Sequence, residues 1–284
     1  RHARDWVLRL GNFPVTRALQ AFVAAPQATD HVLVDPLPRW QDPANVLDQI
    51  VAADPAAVCA ALNGHALTGA PPAWMAAFAA AEAAVVARPP PAAGEGGHLQ
   101  AVLGALPDHC PVFVGNSLLI RELDAFSGSG AGTIEFFANR GASGIDGNVS
   151  TALGIAAGRG RVVALLGDLT CQHDLGGLAA AAGLDALIVV FNNGGGAIFA
   201  HLPQAGLPEF EQGWLTPQSI DFAAAAQTFG LAYRAANTPD ATATAVAAAL
   251  QAGGPSLLEL RLDRRAGLAE RQAWAQAMAG LDLA

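Results

Sequence analysis

Four short apolar runs in the second half of the chain each end in a polar or glycine-rich cluster. The runs cover residues 111–114, 133–138, 162–166 and 187–191. Runs of this length and composition are typical of strands that are buried on both faces of a parallel sheet. Open α/β sheets bind their ligands outside the carboxyl ends of such strands. The pattern therefore predicts four loops that meet at one edge of a doubly wound sheet and form a binding site.

Two of these loops carry oxygen ligands. If the strands before Asp168 and Asn193 are neighbours, the carboxylate and the amide oxygen face each other, and the turn at 194–196 adds a backbone carbonyl. Hard oxygen ligands suit Mg²⁺ bound together with phosphate oxygens, and they do not suit zinc or copper. Glycines allow the backbone to approach a diphosphate, and helix N-termini stabilise its charge. The alternative is that Asp168 caps a helix and that Asn193 and Gly194 form an ordinary turn.

Composition excludes several classes of partner. The net charge of −9 gives no support for binding to nucleic acid or to an anionic membrane, so any anionic ligand must be held locally. The three cysteines, Cys59, Cys110 and Cys171, have no metal-ligand spacing and form no disulfide framework, which predicts a reducing, cytoplasmic location. No apolar stretch is long enough to predict a membrane span.

Strand and helix signals alternate along both halves of the chain. Residues 1–92 are predicted to form a smaller, N-terminally truncated α/β middle domain, with strands at 6–10 and 31–34 and helices at 15–25 and 45–53. Residues 93–284 are predicted to form repeated βα units, which favour a doubly wound parallel sheet with right-handed crossovers. The proline- and glycine-rich stretch at 89–97 is the predicted linker. In the second domain, later helices are predicted at 219–229, 240–251 and 266–279, with Asp240 as an N-cap.

The pair formed by Gly167-Asp168 and Asn192-Asn193 resembles the cofactor motif of the thiamine-diphosphate-dependent enzymes, although Leu169 stands where a second glycine is usual. Together with the string at 139–147 (Asn-Arg-Gly-Ala-Ser-Gly-Ile-Asp-Gly), and with the segments 115–117 and 194–199, it makes the chain similar to the MenD family. This is the family of menaquinone-biosynthesis synthases that form 2-succinyl-5-enolpyruvyl-6-hydroxy-3-cyclohexene-1-carboxylate (SEPHCHC). The resemblance is strong over 111–261, moderate over 8–17 and weak between them.

The resemblance implies a role for individual residues. Asp168, the side chain of Asn193 and the carbonyl of Gly195 would hold Mg²⁺, or Mn²⁺ in its place, against thiamine diphosphate. Ile145 would be the apolar wedge that bends the cofactor. The full set of implied cofactor residues is Ser143, Gly144, Ile145, Gly167, Asp168, Leu169, Thr170, Asn193, Gly195, Gly196 and Ile198. The implied substrate-binding residues are Arg121 and Arg140, as anchors for carboxylates, with Ser117, Phe199 and Arg17, the last at a position where lysine is expected.

The implied reaction is the decarboxylation of 2-oxoglutarate and the addition of the remaining four-carbon unit to isochorismate, which gives SEPHCHC. The glutamate that activates the cofactor belongs to a pyrimidine-binding domain expected outside this chain, so no catalytic residue is assigned here. The chain is expected to be an inactive part of a homodimer or homotetramer. Two alternatives stay open: another thiamine-diphosphate carboligase or decarboxylase, such as an acetolactate-synthase-like enzyme, and a non-catalytic binding module. Leu169 and the string at 139–147 argue against the first alternative, and the intact metal ligands argue against the second.

Overall fold

The computed structural model describes residues 6–14, 16–25, 30–37, 39–66, 69–128 and 132–280. Contacts divide the chain into two compact units, one that ends at Ala84 and one that runs from Val85 to Leu281. Each unit contains its own parallel sheet. The α/β class predicted from the sequence is confirmed, whereas the identification of the first unit as a partial middle domain stays a prediction.

The first unit is a three-stranded sheet with helices between and after its strands. Strands β1 (Trp6–Leu10), β2 (Asp30–Val34) and β3 (Gln49–Val51) lie side by side in that order and are all parallel. The helices are α1 (Arg17–Ala24), α2 (Pro55–Asn63) and α3 (Pro72–Val86), and the last two residues of α3 belong to the second unit. The predicted strands at 6–10 and 31–34 are confirmed, and α1 lies within the predicted helix at 15–25. Val15, where that helix was predicted to begin, lies outside the described residues.

The predicted helix at 45–53 is wrong. Part of this segment is β3, whose residue Gln49 pairs with Val32 of β2, so sheet pairing prevails over a weak helix signal. Asp42, just before this segment, accepts a hydrogen bond from the amide of Leu47 at 2.8 Å within a loop. The next helix, α2, begins only at Pro55, where the side chain of Asp54 caps it.

The second unit is a six-stranded, wholly parallel sheet with the strand order β5-β4-β6-β7-β9-β8. Its strands are β4 (Pro111–Val114), β5 (Glu135–Phe137), β6 (Val162–Gly167), β7 (Ala186–Asn192), β8 (Ala232–Ala236) and β9 (Ser256–Arg261). Its helices are α4 (Glu95–Gly104), α5 (Leu118–Phe126), α6 (Asn148–Arg159), α7 (Asp168–His173), α8 (Phe222–Phe229), α9 (Pro239–Ala252) and α10 (Arg264–Ala279). Nowhere in the described ranges is a helix both long enough and apolar enough to cross a bilayer.

Two hydrophobic cores, one on each face of this sheet, show that it is doubly wound. On one face Val163 and Leu165 of β6 pack with residues of α4, α5 and α9. On the other face Ala164 and Leu166 pack with residues of α6 and α8. The strand is therefore buried on both faces, which is why its sequence is apolar without alternation. The predicted doubly wound sheet is confirmed.

The order of the strands creates a crevice between β4 and β6. From β4 the chain moves outward to β5 on one side and then returns to β6 on the other side. Loops that leave such a switch point in opposite directions open a crevice at the carboxyl ends of the strands. The loop after β4 begins with Gly115, whose amide donates to the carbonyl of Leu165 at 2.8 Å. The crevice thus lies between Gly115 and Gly167, at the edge predicted to bind a ligand.

Candidate active site

A cleft of about 150 Å³ lies at the carboxyl ends of β4, β6 and β7. Its walls include most of the residues that the sequence assigned to a cofactor or substrate, and their roles remain predictions. These residues are Ser117, Ile145, Gly167, Asp168, Leu169, Thr170, Asn193, Gly195, Gly196, Ile198 and Phe199. The lining residues that sequence reasoning missed are Glu95, Asn116, Leu118, Leu119, Phe191 and Ala197.

Asp168 joins two of the loops through its carboxylate. It is 5% exposed and begins α7 directly after β6. Its Oδ1 accepts a hydrogen bond from the amide of Leu169 at 2.7 Å, and its Oδ2 accepts from the amides of Gly194 and Gly195, each at 2.8 Å. Burial raises the pKa of Asp168 to about 6 in spite of these bonds, and the nearby Glu95 also raises it. A cation beside this buried carboxylate would stabilise its charged form.

Asn193 is bonded through its amide nitrogen but not, within the described part of the chain, through its amide oxygen. Its Nδ2 donates to Oε1 of Glu95 at 2.7 Å. Its Oδ1 is buried and has no hydrogen-bond partner among the described residues. A buried amide oxygen left in this way costs free energy unless a ligand satisfies it. Together with the carboxylate of Asp168 it offers the hard oxygen donors that Mg²⁺ prefers, so the residues present fit such an ion. The described residues contain no cluster of three His, Cys, Asp or Glu side chains suited to a metal.

The glycine turn after β7 is fixed by steric constraints. Gly195 has a φ of +133°, and a Cβ atom added there would overlap the backbone carbonyl oxygen of Leu215. A Cβ atom on Gly196 would lie 2.6 Å from the carbonyl oxygen of Trp214. The amide of Gly196 also donates to the carbonyl of Leu215 at 2.7 Å. Only glycine allows the turn to pack this closely against residues 211–215.

Asn116 holds the loop at 139–147 against the end of β4. The side chain is 2% exposed. Its Nδ2 donates to the carbonyls of Asn139 and Gly144 at 3.0 and 2.7 Å, and its Oδ1 accepts from Nη1 of Arg140 at 2.8 Å. One buried amide therefore fixes both the shape of this loop and the position of a guanidinium group.

Ser117 and Arg121 lie at the start of α5. Ser117 has φ 70° and ψ −129°, a conformation that residues other than glycine rarely adopt and that is found most often at functional sites. Its carbonyl accepts a hydrogen bond from Nη1 of Arg121 at 2.6 Å. Burial lowers the pKa of Arg121, and the positive charge of Arg140 lowers it further. Two guanidinium groups are thus close together, and neither is in an ion pair with any residue that the structure describes.

Three other predicted residues are exposed. Ser143 and Gly144 are exposed in the loop at 139–147, where the carbonyl of Gly144 is held by Asn116. Arg17 is the exposed first residue of α1 in the first unit. Their assignment to cofactor and substrate stays a prediction.

Comparison with known proteins identifies the enzymes to which the chain is similar. Residues 131–260 match the family model for the C-terminal TPP binding domain of thiamine pyrophosphate enzymes. The chain is 52% identical over 257 residues to the SEPHCHC synthase of Dechloromonas aromatica, which covers 90% of this chain and 47% of that protein. It is 40% identical over 281 residues to the SEPHCHC synthase of Roseiflexus sp., and that alignment covers 95% of this chain and 48% of the relative. The chain therefore spans about half the length of the curated relatives that it matches.

A solved structure gives the same fold. Benzoylformate decarboxylase from Polynucleobacter necessarius superposes with a TM-score of 0.64 over 92% of this chain and 49% of that protein. The two sequences are 19% identical, so the similarity shows a shared fold and nothing about substrate.

Proposed function

We propose that the protein that contains this chain is a SEPHCHC synthase of menaquinone biosynthesis. The chain is similar to part of the SEPHCHC synthases, and it matches the model of the C-terminal domain of thiamine pyrophosphate enzymes. The proposed synthase decarboxylates 2-oxoglutarate and adds the four-carbon unit to isochorismate. The observation that carries the proposal is the arrangement of Asp168 and Asn193 beside one cleft, within a chain 52% identical to such a synthase.

In this proposal the metal ligands are Asp168, Oδ1 of Asn193 and the carbonyl of Gly195, and the ion is Mg²⁺ or Mn²⁺. The unpartnered Oδ1 and the buried carboxylate support this choice. The glycines at 194–196 allow the backbone to approach a diphosphate. The backbone amides at the start of α7 provide positive dipoles that stabilise its charge. When bound, thiamine diphosphate supplies the electron sink that decarboxylation needs. Ile145, Leu169 and Ile198 line the cleft and exclude water from that group.

Arg121 and Arg140 are the proposed anchors for the substrates. Both 2-oxoglutarate and isochorismate carry two carboxylates, and a guanidinium group binds a carboxylate through two parallel hydrogen bonds. In a chain with a net charge of −9, two neighbouring cations that have no acidic partner among the described residues provide a local anion site. Ser117 and Phe199 line the adjacent walls. Arg17 is proposed as a further basic contact to substrate.

In the complete enzyme, a second domain supplies a group that this chain lacks. The glutamate that activates the cofactor is proposed to come from a pyrimidine-binding domain outside this chain, so the chain by itself has no activity. The complete enzyme is proposed to be a cytoplasmic homodimer or homotetramer.

The test is to incubate the full-length protein with 2-oxoglutarate, isochorismate, Mg²⁺ and thiamine diphosphate and to follow the loss of isochorismate. Turnover that disappears in Asp168→Ala and falls sharply in Arg140→Ala supports the proposal. Arg159→Ala is the control, because Arg159 is exposed and its ion pair with Glu135 lies on the protein surface. Consumption of pyruvate instead of 2-oxoglutarate would indicate an acetolactate-synthase-like enzyme. An absence of any turnover with bound cofactor would contradict the proposed reaction.

A further inference from the structure

Glu95 contacts the candidate metal site from a distant part of the sequence. It is the first residue of α4 and lines the cleft. Its Oε1 accepts the hydrogen bond from Nδ2 of Asn193 at 2.7 Å, across 98 residues of sequence. The proposed reaction assigns no role to the carboxylate of Glu95.

The chemistry of the two side chains determines which way the amide of Asn193 points. An ionised carboxylate accepts hydrogen bonds and donates none, so Glu95 can pair only with the nitrogen of the amide. That pairing turns the oxygen of Asn193 away from Glu95, and this oxygen is the buried atom without a partner among the described residues. A side chain at position 95 that could also donate a hydrogen bond would allow the amide to flip. In the flipped orientation an NH₂ group, which cannot bind a cation, would take the place of the oxygen.

Close backbone packing holds Glu95 in place. Gly94 caps α4, and a Cβ atom on Gly267 of α10 would lie only 2.9 Å from the Cα atom of Gly94. A Cβ atom on Gly97 would lie 2.9 Å from the carbonyl oxygen of Pro91. The first turn of α4 is thus fixed from two sides. The N-terminal end of the helix also favours a negative charge at position 95.

We infer that Glu95 is a positioning residue that holds the side chain of Asn193 with its oxygen directed toward the bound divalent cation. The inference rests on the proposed function, because it assumes that a cation binds at Asp168 and Asn193. In this role Glu95 does not contact the substrate and does not transfer a proton.

A second explanation makes a different prediction. The charge of Glu95 acts on Asp168 through space, so its removal could lower cation affinity without any role for Asn193. A double-mutant cycle between Glu95 and Asn193 separates the two effects. If Glu95 acts through Asn193, its substitution has no further effect once Asn193 has been replaced. If it acts through charge alone, the two losses multiply.

The experiment measures the affinity of the full-length protein for Mn²⁺ in the presence of thiamine diphosphate, by electron paramagnetic resonance titration. Substitution of a residue that orients a metal ligand typically weakens metal binding about 10- to 100-fold, and we expect a loss in this range for Glu95→Gln. In the Asn193→Ala background the same substitution should change the affinity less than about twofold. Glu211→Gln is the matched control, because Glu211 is exposed and its ion pair with Arg264 is long, at 3.9 Å.

A second readout separates positioning from general destabilisation. In Glu95→Gln the Mg²⁺ concentration for half-maximal activity should rise by the same factor as the Mn²⁺ dissociation constant, while the thermal unfolding midpoint without metal stays near wild type. Unchanged Mn²⁺ affinity in Glu95→Gln, or equal losses in both backgrounds, would overturn the inference and leave the proposed function standing. Failure of the wild-type protein to bind Mn²⁺ with thiamine diphosphate would overturn both.

Discussion

The backbone amide of Gly195 donates a hydrogen bond to Oδ2 of Asp168 at 2.8 Å, which ties the loop after β7 to the loop after β6. The strands themselves are neighbours, since Gly167 pairs with Phe191. The hydrogen bond depends on the conformation of Gly195, whose φ of +133° is open only to glycine at low cost. The carboxylate and the glycine turn therefore form one unit, and a change to either one should alter the whole site.

Gly195→Ala should destabilise the protein strongly. The new methyl group would overlap the carbonyl oxygen of Leu215, which is backbone and cannot rotate away. Strain at this φ alone costs about 1–3 kcal/mol, and we expect a total loss of at least that size in the free energy of unfolding, measured in urea. Gly154→Ala is the control, because Gly154 lies within α6 with open space around it. That change should leave stability unchanged or raise it by up to about 1 kcal/mol.

Asn116→Asp should disrupt the loop at 139–147 while preserving the acceptor for Arg140. The substitution removes both donors to the carbonyls of Asn139 and Gly144 and places a carboxylate against them. The loss of hydrogen bonds made by a buried polar side chain costs about 1–3 kcal/mol, and urea unfolding should show a loss of this order. Asn237→Asp, on an exposed turn, should stay within about 0.5 kcal/mol of wild type. Equal effects of the two substitutions would show that Asn116 does not hold the loop.

Arg121→Ala and Arg140→Ala should each raise the KM for at least one of the two substrates. A hydrogen bond to a charged group contributes about 1.5–3 kcal/mol, which corresponds to a rise in KM of about 10- to 150-fold. The affinity for thiamine diphosphate should change little, because neither side chain lines the cofactor cleft. Steady-state kinetics of the full-length enzyme with each substrate varied in turn provides the measurement. Unchanged KM for both substrates would remove these arginines from the substrate site.

Glu122 should make stability depend on pH. Burial raises its pKa to about 7, while Arg271, at 2.5 Å, opposes this shift and Glu95 adds to it. Because the pKa is higher in the folded protein than in the unfolded chain, the folded state binds the proton more tightly. The associated stability is fully present below about pH 4.5 and is lost as the pH rises to about 7.

The test compares the free energy of unfolding of the wild type and Glu122→Gln across that pH range. The advantage of the wild type over the variant should fall as the pH rises, by an amount on the order of 3 kcal/mol. A difference that stays constant from pH 4.5 to pH 7 would show that Glu122 has an ordinary pKa in the folded protein.

The central strands β4, β6 and β7 and the loops that follow them could be predicted from the sequence, because these strands are apolar on both faces and end at recognisable clusters. The helix at 45–53 was wrongly predicted because the short strand β3 exists only through its pairing with β2. The predicted N-cap of α9 was also wrong: Thr238 caps the helix through the amide of Ala241, and Pro239 occupies the first turn. Proline is common at the first helical position, so the cap is the residue just before Pro239, two residues earlier than predicted.

Glu95 and Asn116 could not be found in the same way. Asn116 stands in a loop that the sequence singled out, but its bonds to Asn139 and Gly144 depend on tertiary folding. Glu95 lies in a glycine-rich segment that was interpreted as a linker. Its glycines instead allow close packing: a Cβ atom on Gly96 would lie 2.9 Å from the ring of Phe126. Glycine that permits close approach and glycine that breaks a chain are indistinguishable in one sequence.

The most direct test of the candidate site is a calorimetric titration of the full-length protein with thiamine diphosphate, with and without Mg²⁺, for the wild type and for Asp168→Ala. If Asp168 and Asn193 hold the ion that anchors the diphosphate, the wild type should bind thiamine diphosphate at least about tenfold more tightly with Mg²⁺ than without it. Asp168→Ala should lose that difference. Binding that is equally tight with and without Mg²⁺, or an Mg²⁺ effect that survives in Asp168→Ala, would contradict the assignment of this site.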